Sequence, residues 1–144
     1  MFSVDIAVLY RNLESNVLRR DRIGRTLRRN CGRALREEEL GIIVNQIKSL
    51  RTSRRALIKI LSKLRELESF EGFEEPLSTI IEYMIVVGVH IEKEVLFDAA
   101  ELLKKYESTK TYAKEICDTD VVEVEKLLED LKATYTAIKA RYSS

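Results

Sequence analysis

The sequence predicts an all-α fold: a long antiparallel helical hairpin with additional packed helices, four to five in all, in an elongated bundle. Apolar residues recur at alternating steps of three and four along most of the chain, which is the spacing of one helical face. One proline and five glycines among 144 residues leave few places where a helix must break. A hydrophobic content of 45% and a charged content of 34% suit a single helical domain over residues 1–144.

The first two helices are predicted to form a basic hairpin over residues 1–70. Helix one is expected over residues 4–36, with Arg20 interrupting its apolar face. Helix two is expected to begin at about Leu40, after a tight turn, and only Arg54 breaks its apolar stripe. More than three heptads of such spacing predict a coiled-coil-like seam between the two helices. The seam residues are Ile43, Ile47, Leu50, Leu57, Leu61 and Leu64.

Two further helices are predicted in the acidic remainder, residues 77–144. The stretch at residues 69–76 holds Gly72 and the only proline, so it is predicted to be a loop. Helix three is expected from about Leu77 to Tyr106, and its apolar centre "IIEYMIVVGVHI" predicts a helix packed on both sides. That run is too short and too charged at its edges to span a bilayer. Glu107 to Asp120 is predicted to be a polar connector with room for one short helix, and helix four follows from Val121 with a strict three-four alternation.

Charge is divided unevenly along the chain. Residues 1–60 carry 14 Lys and Arg against 6 Asp and Glu, a net charge of +8. Residues 61–144 carry 11 Lys and Arg against 18 Asp and Glu, a net charge of −7. A chain divided in this way has a basic half that attracts anions and an acidic half that screens it. The acidic C-terminal helices are therefore expected to compete for the basic half and to modulate assembly of the protein.

Catalytic chemistry is not indicated by the sequence, and no catalytic residue, metal site or cofactor is predicted. The only histidine, His90, lies in the apolar run of helix three and is expected to be a core or interface residue, because metal ligation needs partners that the sequence lacks. Cys31 and Cys117 lie far apart without C-x-x-C spacing, which indicates reduced thiols in a cytoplasmic protein. Phosphate-loop, dinucleotide-binding and nucleophile-elbow motifs are all missing from the sequence.

Arginines are concentrated in helix one. The segment from Arg11 to Arg36 contains nine arginines opposed only by Glu14 and Asp21. At about 100° per residue, most of them fall within an arc of about 80° opposite the apolar face. Arginine suits forked hydrogen bonding to phosphate better than lysine does. The predicted anion-binding residues are Arg11, Arg19, Arg22, Arg25, Arg29, Arg33 and Arg36, with Arg54 and Arg55 as candidates for extending the stripe from helix two.

The identity of the anion is left open among several interpretations. A nucleic-acid-binding surface usually adds aromatic side chains for stacking, and none is interleaved with these arginines, which favours an anionic membrane surface. Nucleic acid is the alternative partner, bound by a helical protein or by a small subunit of a ribonucleoprotein complex. A solvated face paired with Glu37, Glu38 and Glu39, and a helical adaptor that binds another protein, are the remaining interpretations.

Three segments carry a resemblance to a known family. The segments are "GIIVNQIKSLR" from Gly41 to Arg51, the following "RRALIKILSKLRELESF", and "RALREEEL" at the turn. Together with a basic helix one and later acidic helices, this pattern resembles the ESCRT-III family, and within it the archaeal CdvB-type cell-division proteins. The resemblance covers roughly residues 10–105.

The resemblance implies a self-associating protein that acts in membrane remodelling or cell division. It implies cytoplasmic localisation, peripheral to a membrane, with Arg19, Arg22, Arg25, Arg29 and Arg33 on the lipid-binding face of helix one. It also implies a AAA ATPase or another helical subunit as a partner, although helix four departs from the leucine-plus-arginine pattern that recruits that ATPase.

Overall fold

The computed structural model describes residues 5–33 and 35–142, which form four long helices and no strand. The prediction of an all-α elongated helical bundle is confirmed. Two of the long helices contain a π-helical turn that joins two α-helical segments without a break. In chain order the elements are α1 (Ile6–Cys31), a 3₁₀ turn (Glu37–Glu39), α2 (Leu40–Glu66), α3 (Glu74–Tyr83), a π turn (Met84–Gly88), α4 (Val89–Leu103), α5 (Lys110–Glu115), a π turn (Ile116–Asp120) and α6 (Val121–Tyr142).

The long helices occupy the four corners of the bundle. α1 packs against α2 and α4, and α6 packs against α2, α3 and α4. The third long helix, which comprises α3 and α4, runs parallel to α1. Near its beginning, the ring of Phe73 lies 5.5 Å from that of Tyr10, and further along Glu94 accepts a hydrogen bond from Arg28. α6 runs parallel to α2, because Arg51 binds Asp120 just before α6 and Arg65, further along α2, binds Thr134, further along α6. The chain therefore reverses its direction between α2 and α3, at one end of the bundle.

A short loop, residues 67–73, makes this crossing. Its Phe70 is only 1% exposed and closes the end of the core. Glu71 and Gly72 turn the chain with φ values of 49° and 90°. The loop is shorter than predicted, because α3 already begins at Glu74 and Pro76 lies in its first turn, where a missing N–H costs nothing.

The predicted hairpin seam is buried in the core. Each of its six residues is at most 1% exposed, and α1 contributes Leu9, Leu13, Val17 and Leu27 to the same apolar cluster. Leu77, Ile81 and Leu96 from the third long helix and Leu127 and Leu131 from α6 complete it. The hairpin is therefore closed over by the other two long helices along its length.

Three predictions about individual segments are wrong. Helix one does not reach residue 36: α1 ends at Cys31, where the Gly32 N–H donates to the carbonyl of Arg28 at 3.2 Å. The predicted connector contains more than one short helix, because α5 and the second π turn run directly into α6 and no break separates them. The third long helix is not packed on both sides, because Val86 is 60% exposed on its outer face. Val4 and Ala34, within the predicted helix one, lie outside the described residues.

Candidate anion-binding surface

Four predicted arginines share the outer face of α1. Arg11, Arg22, Arg25 and Arg29 are all exposed, on the side of the helix opposite the buried Leu13. We call these four the arginine face. At a rise of about 1.5 Å per residue they extend over roughly 27 Å of helix. The buried apolar side fixes the rotation of α1, so the four side chains project to the same side of the molecule.

The arginine face has almost no internal neutralisation. Within residues 5–33 and 35–142 none of its four members forms an ion pair, and Arg25 only donates from Nε to the carbonyl of Asp21 at 3.4 Å. The carboxylates of α1 are engaged elsewhere: Glu14 accepts from the Tyr10 hydroxyl at 3.3 Å. Asp21 accepts from the Tyr83 hydroxyl of α3 at 2.9 Å. The face therefore carries an excess of positive charge, because its four arginines outnumber the two carboxylates of α1 and pair with neither of them.

The other three predicted anion-binding arginines lie elsewhere. Arg19 is exposed on α1 but is turned towards α2. Arg33 follows the end of α1 and donates to the side-chain oxygen of Asn30 at 3.3 Å. Arg36 lies at the tip of the hairpin and pairs with Glu39 at 3.1 Å, so it is not part of the arginine face. The expectation that Arg33 and Arg36 continue the helical stripe is wrong, because α1 ends at Cys31, before both of them.

A second set of arginines forms a buried charge cluster that reaches into all four long helices. Arg20 of α1 is 4% exposed and donates to both carboxylate oxygens of Glu92 in α4. Arg54 of α2 is fully buried and donates to Asp120 at 3.0 Å, and its Nε lies 3.6 Å from Glu92. The Arg51 guanidinium also binds Asp120, at 2.7 Å. The prediction that Arg54 extends an exposed stripe is therefore wrong.

Glu123 of α6 continues this cluster to the surface. It accepts from Arg54 at 3.0 Å and from the exposed Arg55 at 2.8 Å. Burial opposes its ionisation, but hydrogen bonds from these two guanidinium groups still hold the pKa of Glu123 below its ordinary value. A hydrogen bond to Asp120 likewise raises the pKa of Arg51.

The pairing in the cluster explains much of the charge division along the chain. Arg20, Arg51, Arg54 and Arg55 belong to the basic half, and their partners belong to the acidic half. The acidic half thus neutralises arginines at its contact with the basic half, whereas the arginine face stays open to solvent. Across residues 5–33 and 35–142, no carboxylate of the acidic half forms an ion pair with the arginine face.

The sequence contains a signal for the buried cluster. Arg20 and Arg54 interrupt apolar stripes, so each lies on the side of its helix that faces the core. A charge at such a position needs a buried partner of opposite sign. Glu92 and Asp120 are those partners, and they too lie on buried faces.

The structure also bears on the predictions for His90, for metal sites and for membrane-spanning helices. His90 is exposed on α4, so it does not belong to the core, and the alternative of an interface position stays a prediction. Among the described residues, no group of three or more His, Cys, Asp or Glu side chains is placed to hold a metal ion. Over the same residues, none of the helices combines the length and apolarity needed to cross a membrane.

The geometry defines a class of protein, an all-α four-helix bundle with one exposed arginine face. Comparisons with protein-family models, with curated proteins and with solved structures give no match for the chain. The resemblance to ESCRT-III consequently rests on the sequence segments alone.

Proposed function

We propose that this protein binds anionic membrane surfaces peripherally through the arginine face and self-associates there, as ESCRT-III-like membrane-remodelling proteins do. The single observation that supports this proposal is a row of unpaired arginines on one side of a helix whose rotation is fixed by the core. No catalytic step is part of the proposal, and no cofactor is needed for it.

Electrostatics supplies the binding energy in this proposal. A basic residue held near an anionic bilayer contributes about 1 kcal/mol. The four arginines of the face lie on one side of the molecule, so all of them approach a flat surface together. Their sum, about 4 kcal/mol, gives weak binding for one copy. Self-association multiplies such contacts, because linked copies bind with much higher avidity than one.

Leu18 favours a membrane over a nucleic acid as the anionic partner. It lies on the outer side of α1 among the arginines and is 57% exposed. An apolar side chain between basic residues partitions into the boundary between headgroups and acyl chains. It gives no comparable gain against a phosphodiester backbone, which is contacted mainly by charged and polar groups.

Co-sedimentation with vesicles tests the proposal. We expect the protein to bind vesicles containing phosphatidylserine and to stay in solution with neutral vesicles, and the binding should weaken as salt is raised. The triple variant R22Q/R25Q/R29Q should bind about a hundredfold more weakly, since three contributions of about 1 kcal/mol are lost. The control K114Q/K126Q/K132Q removes the same charge from exposed lysines of α5 and α6 and should bind as the wild type does.

A second variant distinguishes membrane binding from nucleic-acid binding. Leu18→Gln should weaken vesicle binding and leave duplex DNA binding, if there is any, unchanged. Binding to DNA without binding to anionic vesicles would overturn the proposal and identify the nucleic-acid alternative. Equal binding of the R22Q/R25Q/R29Q variant and its control would show that the arginine face is not the site.

A further inference from the structure

A groove runs along the outward side of the hairpin, between α1 and α2 and beside the arginine face. It consists of three adjoining depressions that all include Arg19, and the one nearest the hairpin tip has a volume of about 480 Å³. That volume lies in the range of sites for small molecules. Arg22 belongs to the arginine face and also lines this groove, so the two surfaces are continuous.

The charges that line the groove have one sign. Its cations are Arg19, Arg22, Lys48, Lys59 and Lys63, and no Asp or Glu is among its lining residues in the described part of the chain. The three lysines form no ion pair with any described residue. A surface that only needs to be solvated mixes both signs. The groove therefore suits an anionic occupant.

Neutral hydrogen-bonding side chains lie between the cations. Asn12, Asn45 and Ser49 line the groove and offer amide and hydroxyl groups of both donor and acceptor type. Thr52 offers only an acceptor, because its hydroxyl donates to the Lys48 carbonyl at 3.1 Å. Phosphate needs only donors, whereas a hydroxyl group of a ligand needs a donor and an acceptor. The lining thus fits a ligand that carries both phosphate and hydroxyl groups.

The floor of the groove contains polar atoms without a partner. Ser53 is 6% exposed, and its Oγ finds no hydrogen-bond partner among the described residues. Asn16 donates from Nδ2 to the Ser53 carbonyl at 3.0 Å, which leaves its own buried Oδ1 unpaired. Unpaired buried polar atoms are costly and are normally satisfied by water or a ligand. Here they lie beneath the positive groove.

We propose that this groove binds the phosphorylated polyol headgroup of an anionic lipid and gives the membrane contact headgroup selectivity. This inference rests on the proposed function and names the ligand class for it. The cations bind the phosphate through charge-assisted hydrogen bonds. The amide and hydroxyl side chains bind the polyol hydroxyls, and the arginine face holds the surrounding bilayer without selectivity.

Two vesicle preparations of equal total charge test the inference. One carries a phosphatidylinositol phosphate and the other carries phosphatidylserine. We expect about tenfold tighter binding to the former, which corresponds to one or two additional hydrogen bonds to the polyol hydroxyls. The double variant N45A/S49A should reduce this preference to near unity. The control T111A/T136A removes two exposed hydroxyl groups from α5 and α6 and should retain the preference.

Soluble probes distinguish failure of the groove from failure of membrane binding. Inositol trisphosphate should bind the full chain in calorimetry, with a loss in N45A/S49A, whereas inorganic phosphate should not bind at the same concentration. Binding of inositol trisphosphate without binding to any vesicle would support the groove and overturn the membrane proposal. Equal binding to both vesicles, or displacement of inositol trisphosphate by a single-stranded oligonucleotide, would overturn the groove assignment.

Discussion

At the scale of single residues, the arginines of this chain divide into two kinds with opposite environments. Arg20 and Arg54 are at most 4% exposed, whereas the arginine face is exposed. Removing a charge from water costs several kcal/mol unless a partner of opposite sign is present. Arg20, Arg54, Glu92 and Asp120 meet that condition together, because they carry two charges of each sign.

Glu92→Gln should be strongly destabilising. Glu92 is the only carboxylate that pairs with Arg20 among the described residues, so the substitution leaves an uncompensated charge in the core. Loss of one member of a buried pair costs about 3–5 kcal/mol. The free energy of unfolding in urea, measured at neutral pH, checks this value.

Glu94→Gln is the matched control for that substitution. Glu94 lies in the same helix and also pairs with an arginine of α1, but that pair is more than half exposed. Exposed pairs contribute about 0.2–1 kcal/mol. The double variant R20M/E92L should recover most of the loss, since it removes both charges. If E92Q proved as stable as E94Q, the buried pair would have no structural role.

At the scale of helices, the apolar period predicted the seam and the number of long helices, but not where each helix ends. The positions of Ile43, Leu50 and Leu61 were predictable because a helical stripe has to be buried against something. The end of α1 was not predictable, because the run of arginines continues past Gly32 without a change in composition. The end of α1 is set by the Gly32 cap, so the predicted stripe loses its last two members.

The crossing between α2 and α3 depends on a left-handed turn. Gly72 has a φ of 90°, a conformation that disfavours any side chain. Gly72→Ala should therefore cost about 1–2 kcal/mol of unfolding free energy, which a thermal or urea titration would detect. Glu71→Asn is the control: Glu71 has a φ of 49°, and asparagine tolerates that region well. A G72A variant as stable as the wild type would contradict the left-handed turn.

At the scale of the whole molecule, the topology decides which arginines remain available. The sequence predicted two oppositely charged halves but could not reveal their pairing, because the pairing depends on α4 lying beside α1 and α6 beside α2. That arrangement brings Glu92 to Arg20 and Glu123 to Arg54. The arginine face was predictable from helical phase alone, since it needs no partner within the chain.

The contact between the two halves should weaken in acid through Glu123. Its pKa in the folded protein lies below the ordinary value, because Arg55 and Arg54 donate to its carboxylate. A carboxylate with a lowered folded pKa contributes stability that is fully present above the unfolded pKa, about 4.3, and is lost as pH falls through the folded value. We therefore expect the free energy of unfolding to decrease as the pH falls below about 4.

Glu123→Gln should reduce the loss of unfolding free energy in acid, because the variant carries no group at this position that binds a proton. Glu129→Gln is the control: Glu129 lies on α6 with its carboxylate exposed and 3.8 Å from Lys132, so its loss should leave the slope unchanged. Urea titrations between about pH 3 and pH 6 measure both slopes. Parallel pH profiles for E123Q and the wild type would mean that the Arg54–Glu123–Arg55 contact does not hold α2 to α6. A flattened profile for E123Q alone would identify this contact as the acid-sensitive link between the basic hairpin and the acidic helices.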